Sequence, residues 1–203
     1  MIAIVDCGTP DVSSLLEAFD AVGASARVVC APVEVERAAR LVLPDAGSFA
    51  RAAEAIRRNG LIGTILDFAS GNRPLLGIGT GLELLFDVIY ADGEHTGLGL
   101  LRGKVAPLAA GSSLPSAVPD EGLLPVRWDR PIPILSGLDQ GTRFHFRQRR
   151  QCVPLDDRVA VAHGDGGGRF AAVVAREMVF GVQFEPHRSG PAGRRVLANF
   201  AAF

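Results

Sequence analysis

A carboxylate and an imidazole stand two residues apart near the end of the chain, in the segment Glu185-Pro186-His187. In an extended chain, side chains at positions i and i+2 point to the same side, so these two groups are predicted to form a pair. A His–carboxylate pair serves general acid–base chemistry when a reacting group lies within reach. The alternative is a structural ion pair, which is the interpretation we favour.

Two side chains are candidate nucleophiles for such chemistry. Thr80 follows Gly79 in a turn between an apolar strand and a helical pattern, where it is expected to begin the helix. Cys7 follows the first predicted strand, but free cysteines are most often buried apolar side chains. Because no base is obviously aimed at Thr80, structural roles are favoured for both residues.

The first half of the chain alternates short apolar runs with helical patterns. These predict strands at Ile2–Val5, Ala26–Cys30, Leu41–Leu43 and Leu75–Ile78, and helices at Val12–Val22, Ser48–Arg58, Leu61–Ser70 and Gly81 to about Tyr90. Strands that alternate with helices form a parallel sheet with helices on both faces, and ligands lie beyond the carboxyl ends of its strands. We therefore expect one cleft at that edge. It is surrounded by Cys7, Asp45, Gly79–Gly81 and Glu185–His187.

The second half of the chain has shorter β-type stretches, which predict an antiparallel or mixed segment added to the sheet. The predicted strands are Leu123–Arg127, Thr142–Arg147, Arg158–His163, Phe170–Ala175 and Met178–Phe184. A surface loop is predicted at Ala106–Gly122, which is rich in Pro, Ser, Gly and Ala, and an amphipathic helix at Ala192–Phe203. Residues 1–203 are predicted to form one α/β domain.

The composition of the chain argues against several classes of protein. With 203 residues, 48% of them hydrophobic and a net charge of -1, the chain lacks the basic excess of a dedicated nucleic-acid binder. The apolar runs are too short to span a membrane, and the first residues lack the basic region of a signal peptide. Three scattered cysteines without metal-ligand spacing favour a reduced, cytoplasmic setting and predict no metal site.

Two segments far apart in the chain carry a family resemblance. Pro74–Phe86 contains Gly-Ile-Gly-Thr-Gly, and Phe180–Gly190 contains Gly-Val-Gln-Phe-Glu-Pro-His-Arg-Ser-Gly. They resemble the active-site segments G-I-C-x-G and G-V-Q-F-H-P-E-K-S-G of class I glutamine amidotransferases, and of the glutaminase subunit of imidazole glycerol phosphate synthase in particular. The resemblance extends over nearly the whole chain and implies a flavodoxin-like fold. It places Gly79, Glu185 and His187 at the nucleophile, base and orienter positions.

The resemblance also implies a changed pocket. Asp45 stands at the oxyanion-loop glycine of L-P-G-V-G-S-F, and a carboxylate there opposes the negative charge of an oxyanion. Glu83 replaces a substrate-binding glutamine, and Phe146–Arg150 stands where the family has F-V-H-S-Y. The expected pocket residues are Asp45, Ala46, Gly47, Thr80, Gly81, Glu83, Gln148 and Arg149. We therefore expect no catalytic triad, no cofactor and no glutaminase activity.

A synthase partner is implied by the same resemblance. We expect a (β/α)8-barrel cyclase-like subunit, in a heterodimer, facing Asp11, Ser14 and Trp128, although Trp128 alternatively packs in the core. Two other functions remain open: a hydrolase or transferase that uses the Glu185/His187 pair with or without Cys7, and a small-molecule sensor with an anion at Gly79–Gly81. Asp45 and Glu83 argue against an anion close to that turn. An arginine run is either a solvated strand edge or a site for an acidic ligand. It comprises Arg143, Arg147, Arg149 and Arg150.

Overall fold

The computed structural model of the chain describes residues 1–9, 12–91, 93–107, 121–147, 149–165 and 169–203. Its helices are α1 (Val12–Asp20), α2 (Pro32–Glu36), α3 (Phe49–Arg58), α4 (Leu61–Ser70), α5 (Thr80–Glu83) and α6 (Gly190–Ala201). Its strands are β1 (Ile2–Val5), β2 (Ala26–Val29), β3 (Arg40–Leu43), β4 (Leu75–Ile78), β5 (Phe86–Tyr90), β6 (Glu94–Thr96), β7 (Leu101–Pro107), β8 (Glu121–Arg127), β9 (Arg143–Arg147), β10 (Arg150–Pro154), β11 (Ala160–Asp165), β12 (Arg169–Arg176) and β13 (Val179–Val182). Short 3-10 turns lie at Pro133–Leu135, Asp157–Val159 and Pro186–Arg188.

Within the described residues, a nine-stranded sheet has the order β2-β1-β3-β4-β13-β12-β11-β8-β9. Strands β2, β1, β3, β4 and β13 run parallel to one another. Strands β12, β11, β8 and β9 continue the sheet in antiparallel fashion. A second, four-stranded sheet has the order β10-β7-β5-β6 and mixes both directions. The predicted α/β fold with an added antiparallel or mixed segment is thus confirmed.

Apolar residues of the parallel strands are buried on both faces of the large sheet. On β1, Ala3 and Val5 join the cluster formed with α3, α4 and the second sheet, whereas Ile2 and Ile4 join the cluster formed with α1 and α6. This alternation follows from the two-residue period of a strand. The continuous apolar run of β1 is therefore what a doubly covered strand requires.

The predicted helix from Gly81 to about Tyr90 is wrong after its first turn. Helix α5 ends at Glu83, and Phe86–Tyr90 is strand β5. Backbone N–H groups of the following segment bond the start of this strand: Gly99 N–H donates to the Phe86 carbonyl at 3.2 Å and Gly97 N–H donates to the Asp87 carbonyl at 3.0 Å. The β-branched and aromatic residues of β5 fit a strand better than a helix, so tertiary pairing decided the outcome.

The predicted loop at Ala106–Gly122 is only partly testable. Its first two residues belong to β7 and its last two belong to β8, whereas 108–120 lie outside the described residues. Strands β6, β7 and β10 of the small sheet were not predicted. Among the described helices, none is long and apolar enough to cross a membrane.

Candidate functional site

A small cavity lies at the carboxyl ends of the parallel strands, as the fold rule predicts. Its volume is about 20 Å³, which is room for about one water molecule. Its lining residues are Thr9, Leu15, Pro44, Asp45, Ile78, Arg147, Glu185 and His187. Of the predicted cleft residues, the structure brings Asp45, Glu185 and His187 together around this space.

Gly79 forms the sharp turn between β4 and α5. Its φ of 53° and ψ of -114° lie in a region that strains a residue with a Cβ by about 1–3 kcal/mol. The turn is fixed from both sides, because Gly79 N–H donates to the Val182 carbonyl at 2.9 Å and Glu83 N–H donates to the Gly79 carbonyl at 3.1 Å. Gly81 is needed for close packing, since a Cβ there would overlap the Leu43 carbonyl oxygen. The backbone at position 79 thus has the shape that presents a side chain to the cleft.

The Asp45 carboxylate occupies the place where a side chain at position 79 would project. A Cβ built on Gly79 would lie 2.8 Å from Asp45 Cγ and 3.0 Å from Oδ1. Oδ1 accepts hydrogen bonds from Gly47 N–H at 3.0 Å, Thr80 N–H at 3.1 Å and the Thr80 hydroxyl at 2.6 Å. Ser48 caps the following helix α3 by accepting from Arg51 N–H, which fixes the end of this loop. The two amides are donors of the kind that stabilise an oxyanion, and here a carboxylate takes them.

Arg147 joins two carboxylates across the mouth of the cavity. Its guanidinium Nη2 lies 3.5 Å from Asp45 Oδ2 and 3.4 Å from Glu185 Oε1. Glu185 is almost fully buried, with 4% of its side chain exposed, whereas Arg147 is 44% exposed. A buried carboxylate needs a partner of opposite charge, and Arg147 supplies it from the solvent side.

His145 belongs to the same network and was missed from the sequence. Its Nδ1 lies 3.0 Å from Glu185 Oε2, and its Nε2 lies 3.2 Å from Glu121 Oε1. Its backbone is also fixed, because His145 N–H donates to Ser189 Oγ and Glu185 N–H donates to the His145 carbonyl, both at 2.9 Å. The alternation of β9, with Phe144 and Phe146 buried, was the available signal that His145 shares the cleft face.

The prediction of a Glu185/His187 pair assumed an extended chain, whereas Pro186–Arg188 forms a 3-10 turn. The rule that side chains at i and i+2 point to the same side therefore does not apply here, and the pair stays a prediction. Glu185 forms ion pairs with His145, Arg147 and, at 3.7 Å, Arg188 Nε. His187 lines the cavity beside Glu185.

Glu83 and Arg150 form a two-point ion pair beside the turn. Arg150 Nε lies 3.0 Å from Glu83 Oε1, and Nη2 lies 2.8 Å from Oε2, with 6% of the Glu83 side chain exposed. Burial raises the pKa of Glu83 above its usual value; the Arg150 guanidinium opposes this rise, and the charge of Asp45 adds to it. The resemblance assigns both positions to substrate binding, and here the two side chains are held in an ion pair with each other.

Comparisons with known proteins assign the chain to a family. No protein-family model matches the chain. The HisH subunit of imidazole glycerol phosphate synthase from Syntrophotalea carbinolica is 36% identical over 203 residues, which cover 98% of this chain and 98% of that protein. The HisH subunit from Moorella thermoacetica is 37% identical over 199 residues, covering 98% and 93%. The chain belongs to the HisH family.

Solved structures agree with the HisH assignment at the level of the fold. A crystal structure of a glutamine amidotransferase superimposes with a TM-score of 0.77 at 18% identity, covering 100% of this chain and 99% of that one. The structure of PurLQS from Thermotoga maritima gives 0.76 at 19% identity, covering 98% and 96%. The class I glutamine amidotransferase fold and the resemblance read from the two sequence segments are thereby confirmed.

The two candidate nucleophiles of this HisH homologue are both enclosed. Cys7 is fully buried, and burial, with a smaller contribution from Asp6, raises the pKa of its thiol to about 12. Thr80 is 4% exposed, and its hydroxyl donates to Asp45. Neither side chain therefore supplies an activated nucleophile at neutral pH in this arrangement.

The other predicted residues lie around this site. Ala46 is buried, Arg149 is exposed, and Gln148 and Asp11 lie outside the described residues. Trp128 is partly buried against the cluster that contains α1 and α6, and its backbone N–H and carbonyl are both bonded by the Gln140 side chain, at 3.0 and 2.6 Å. Ser14 lies half-buried on α1. The members of the arginine run have different partners: Arg147 pairs with Asp45, Arg150 pairs with Glu83, and Arg143 donates to the Leu123 carbonyl at 2.7 Å.

Proposed function

We propose that this HisH homologue does not hydrolyse glutamine and instead binds or regulates a cyclase-type synthase. The observation that carries the proposal is the Asp45 carboxylate, which fills the space over Gly79 and takes the hydrogen-bond donors beside it. Glutaminase chemistry at this turn needs a nucleophile, a base and free donors for the oxyanion. Each of these three requirements is opposed by the residues present.

The electrostatics of the cleft support the same conclusion. Asp45 and Glu185 share the guanidinium of Arg147, and Glu83 is paired with Arg150. The carboxylates would repel a developing oxyanion, and each of them is held in place by an arginine. The cavity between these groups has a volume of about 20 Å³.

A partner is proposed from the relatives, which are named as subunits of imidazole glycerol phosphate synthase. We expect a heterodimer with a (β/α)8-barrel cyclase-like subunit in the cytoplasm, and Asp11, Ser14 and Trp128 as interface residues. Trp128 is the residue chosen for testing this interface. Its side chain is partly buried, and its backbone N–H and carbonyl are both bonded by the Gln140 side chain.

The two alternative functions receive less support. A hydrolase or transferase that uses Cys7 would need a thiolate, and the raised pKa of Cys7 keeps the thiol protonated at neutral pH. A sensor with an anion at Gly79–Gly81 would compete with Asp45, which already accepts from Thr80.

The test is glutamate release from glutamine, measured with the isolated chain and after addition of the cyclase-type subunit from the same genome. A HisH subunit of proven glutaminase activity serves as the positive control. We expect no release above a blank without protein in either case. Turnover above the blank would refute the proposal, and loss of that turnover in Cys7→Ala would assign it to Cys7.

Partner binding is measured separately, by titrating the cyclase-type subunit against the chain in a calorimeter. We expect saturable binding that Trp128→Ala weakens. Tyr90→Ala is the matched control, because Tyr90 is an aromatic residue that is 40% exposed on β5 of the other sheet. Equal weakening by both substitutions, or no binding, would contradict the proposed interface.

A further inference from the structure

Two aspartates follow parallel strands and make the same local hydrogen bond. Asp6, after β1, accepts from Gly8 N–H at 2.9 Å, and Asp45, after β3, accepts from Gly47 N–H at 3.0 Å. Asp6 is exposed, whereas Asp45 keeps 12% of its side chain exposed and reaches a second chain segment. At that segment, Thr80 adds its backbone N–H and its hydroxyl to the same oxygen, Oδ1. The donors around Asp45 therefore converge from two loops that are 35 residues apart in the chain.

These donors depend on the carboxylate. Thr80 is buried, so its N–H and hydroxyl would be left without the acceptor they now have if the Asp45 side chain were removed. A hydrogen bond to a charged oxygen is also stronger than a hydrogen bond to a neutral oxygen. The second oxygen, Oδ2, faces Arg147, which holds the charge of the group in place. The surroundings are thus complementary to a carboxylate on both of its oxygens.

We propose that Asp45 is an internal carboxylate ligand that keeps the cleft closed. It holds the Asp45–Gly47 loop against Thr80 and blocks the space over Gly79. When the carboxylate is removed from the chain, the same donors and Arg147 take a small carboxylate ion from solution. The inference rests on the proposed function for its biological meaning, but its test does not involve glutamine, so either can fail without the other.

The experiment compares Asp45→Gly with wild type in sodium formate and in sodium chloride of equal ionic strength, by thermal unfolding. Asp45→Gly has lost its carboxylate and its Cβ, which leaves room for a formate ion. We expect its Tm to be lower than that of wild type in chloride and to rise saturably in formate, by at least about 2 °C relative to chloride. Wild type is expected to have the same Tm in both salts.

Asp6→Gly is the matched control, because it removes the same local hydrogen bond at an exposed site. We expect it to respond equally to formate and chloride. Asp45→Asn keeps the shape of the side chain and one acceptor oxygen, and we expect it to fold without a response to formate. If Asp45→Gly is unfolded in chloride, formate-dependent refolding is the equivalent readout. An Asp45→Gly variant that ignores formate, or a formate effect of equal size in Asp6→Gly, overturns the inference.

Discussion

Replacing Gly79 by alanine measures how strongly the structure opposes a side chain at position 79. Two destabilising contributions to the free energy of unfolding add. The backbone, with φ 53° and ψ -114°, strains a residue that has a Cβ by about 1–3 kcal/mol. The new Cβ would also lie 2.8 Å from Asp45 Cγ, and forcing an atom into a filled space costs about 1–3 kcal/mol. We expect Gly79→Ala to lower the free energy of unfolding by about 2–6 kcal/mol, which is a large part of the stability of a typical domain.

The steric part of this cost depends on Asp45 and can be separated. In an Asp45→Gly background the clash is gone, so Gly79→Ala should there cost only its backbone strain. The coupling between the two substitutions is expected to be about 1–3 kcal/mol. The assay is urea unfolding of wild type, both single variants and the double variant, followed by circular dichroism at constant pH.

Two other glycines calibrate the result. Gly23 has a φ of 72° and no atom within 4 Å of a built Cβ, so Gly23→Ala reports left-handed backbone strain alone, about 1–2 kcal/mol. Gly63 lies inside α4 with open space around it, so Gly63→Ala is expected to stabilise the protein by about 0.5–1 kcal/mol. A Gly79→Ala cost no larger than that of Gly23→Ala, or additive effects of the substitutions at 79 and 45, would refute the clash.

Two further predictions concern buried groups. Iodoacetamide at neutral pH is expected to label exposed Cys30 in the folded protein, and to label Cys7 and Cys152 only after unfolding. The reason is that burial raises the pKa of both buried thiols. Rapid labelling of Cys7 in the folded protein, detected by mass spectrometry, would contradict this prediction. Burial also raises the pKa of Glu83 above its usual 4.5, so above about pH 4.5 the folded chain retains a proton that the unfolded chain releases. The free energy of unfolding of wild type, relative to that of Glu83→Gln, should therefore fall as the pH rises above about 4.5. Urea midpoints of the two proteins between pH 4 and about 7 measure the difference, and a constant difference would contradict the shift.

The sequence predicted the parallel core well, because strands buried on both faces are continuous apolar runs. Ile2–Val5 and Leu75–Ile78 are strands with the predicted bounds. It failed at Phe86–Tyr90, where a short apolar stretch fits either period and pairing with β7 and β6 selects the strand. Such a choice depends on residues that are distant in sequence.

The candidate site was predicted in part for the same reason. The position of Asp45 in the cleft followed from the strand ends, but the sequence predicted only that its charge would repel an oxyanion or a bound anion. That its carboxylate would take the donors of Thr80 depends on a contact between residues 35 apart. The alternation of β9 could have placed His145 on the cleft face, but its partner Glu185 is 40 residues away, and the alternation does not identify that partner.

The contact between Gly79 and Asp45 also couples these two positions in any redesign of the turn. A side chain at position 79 and the Asp45 carboxylate, where it now lies, compete for one space. A residue with a side chain is therefore expected to be better tolerated at position 79 when Asp45 is replaced by a smaller residue in the same chain. Libraries that vary position 79 alone would miss the combinations that this cleft accepts most readily.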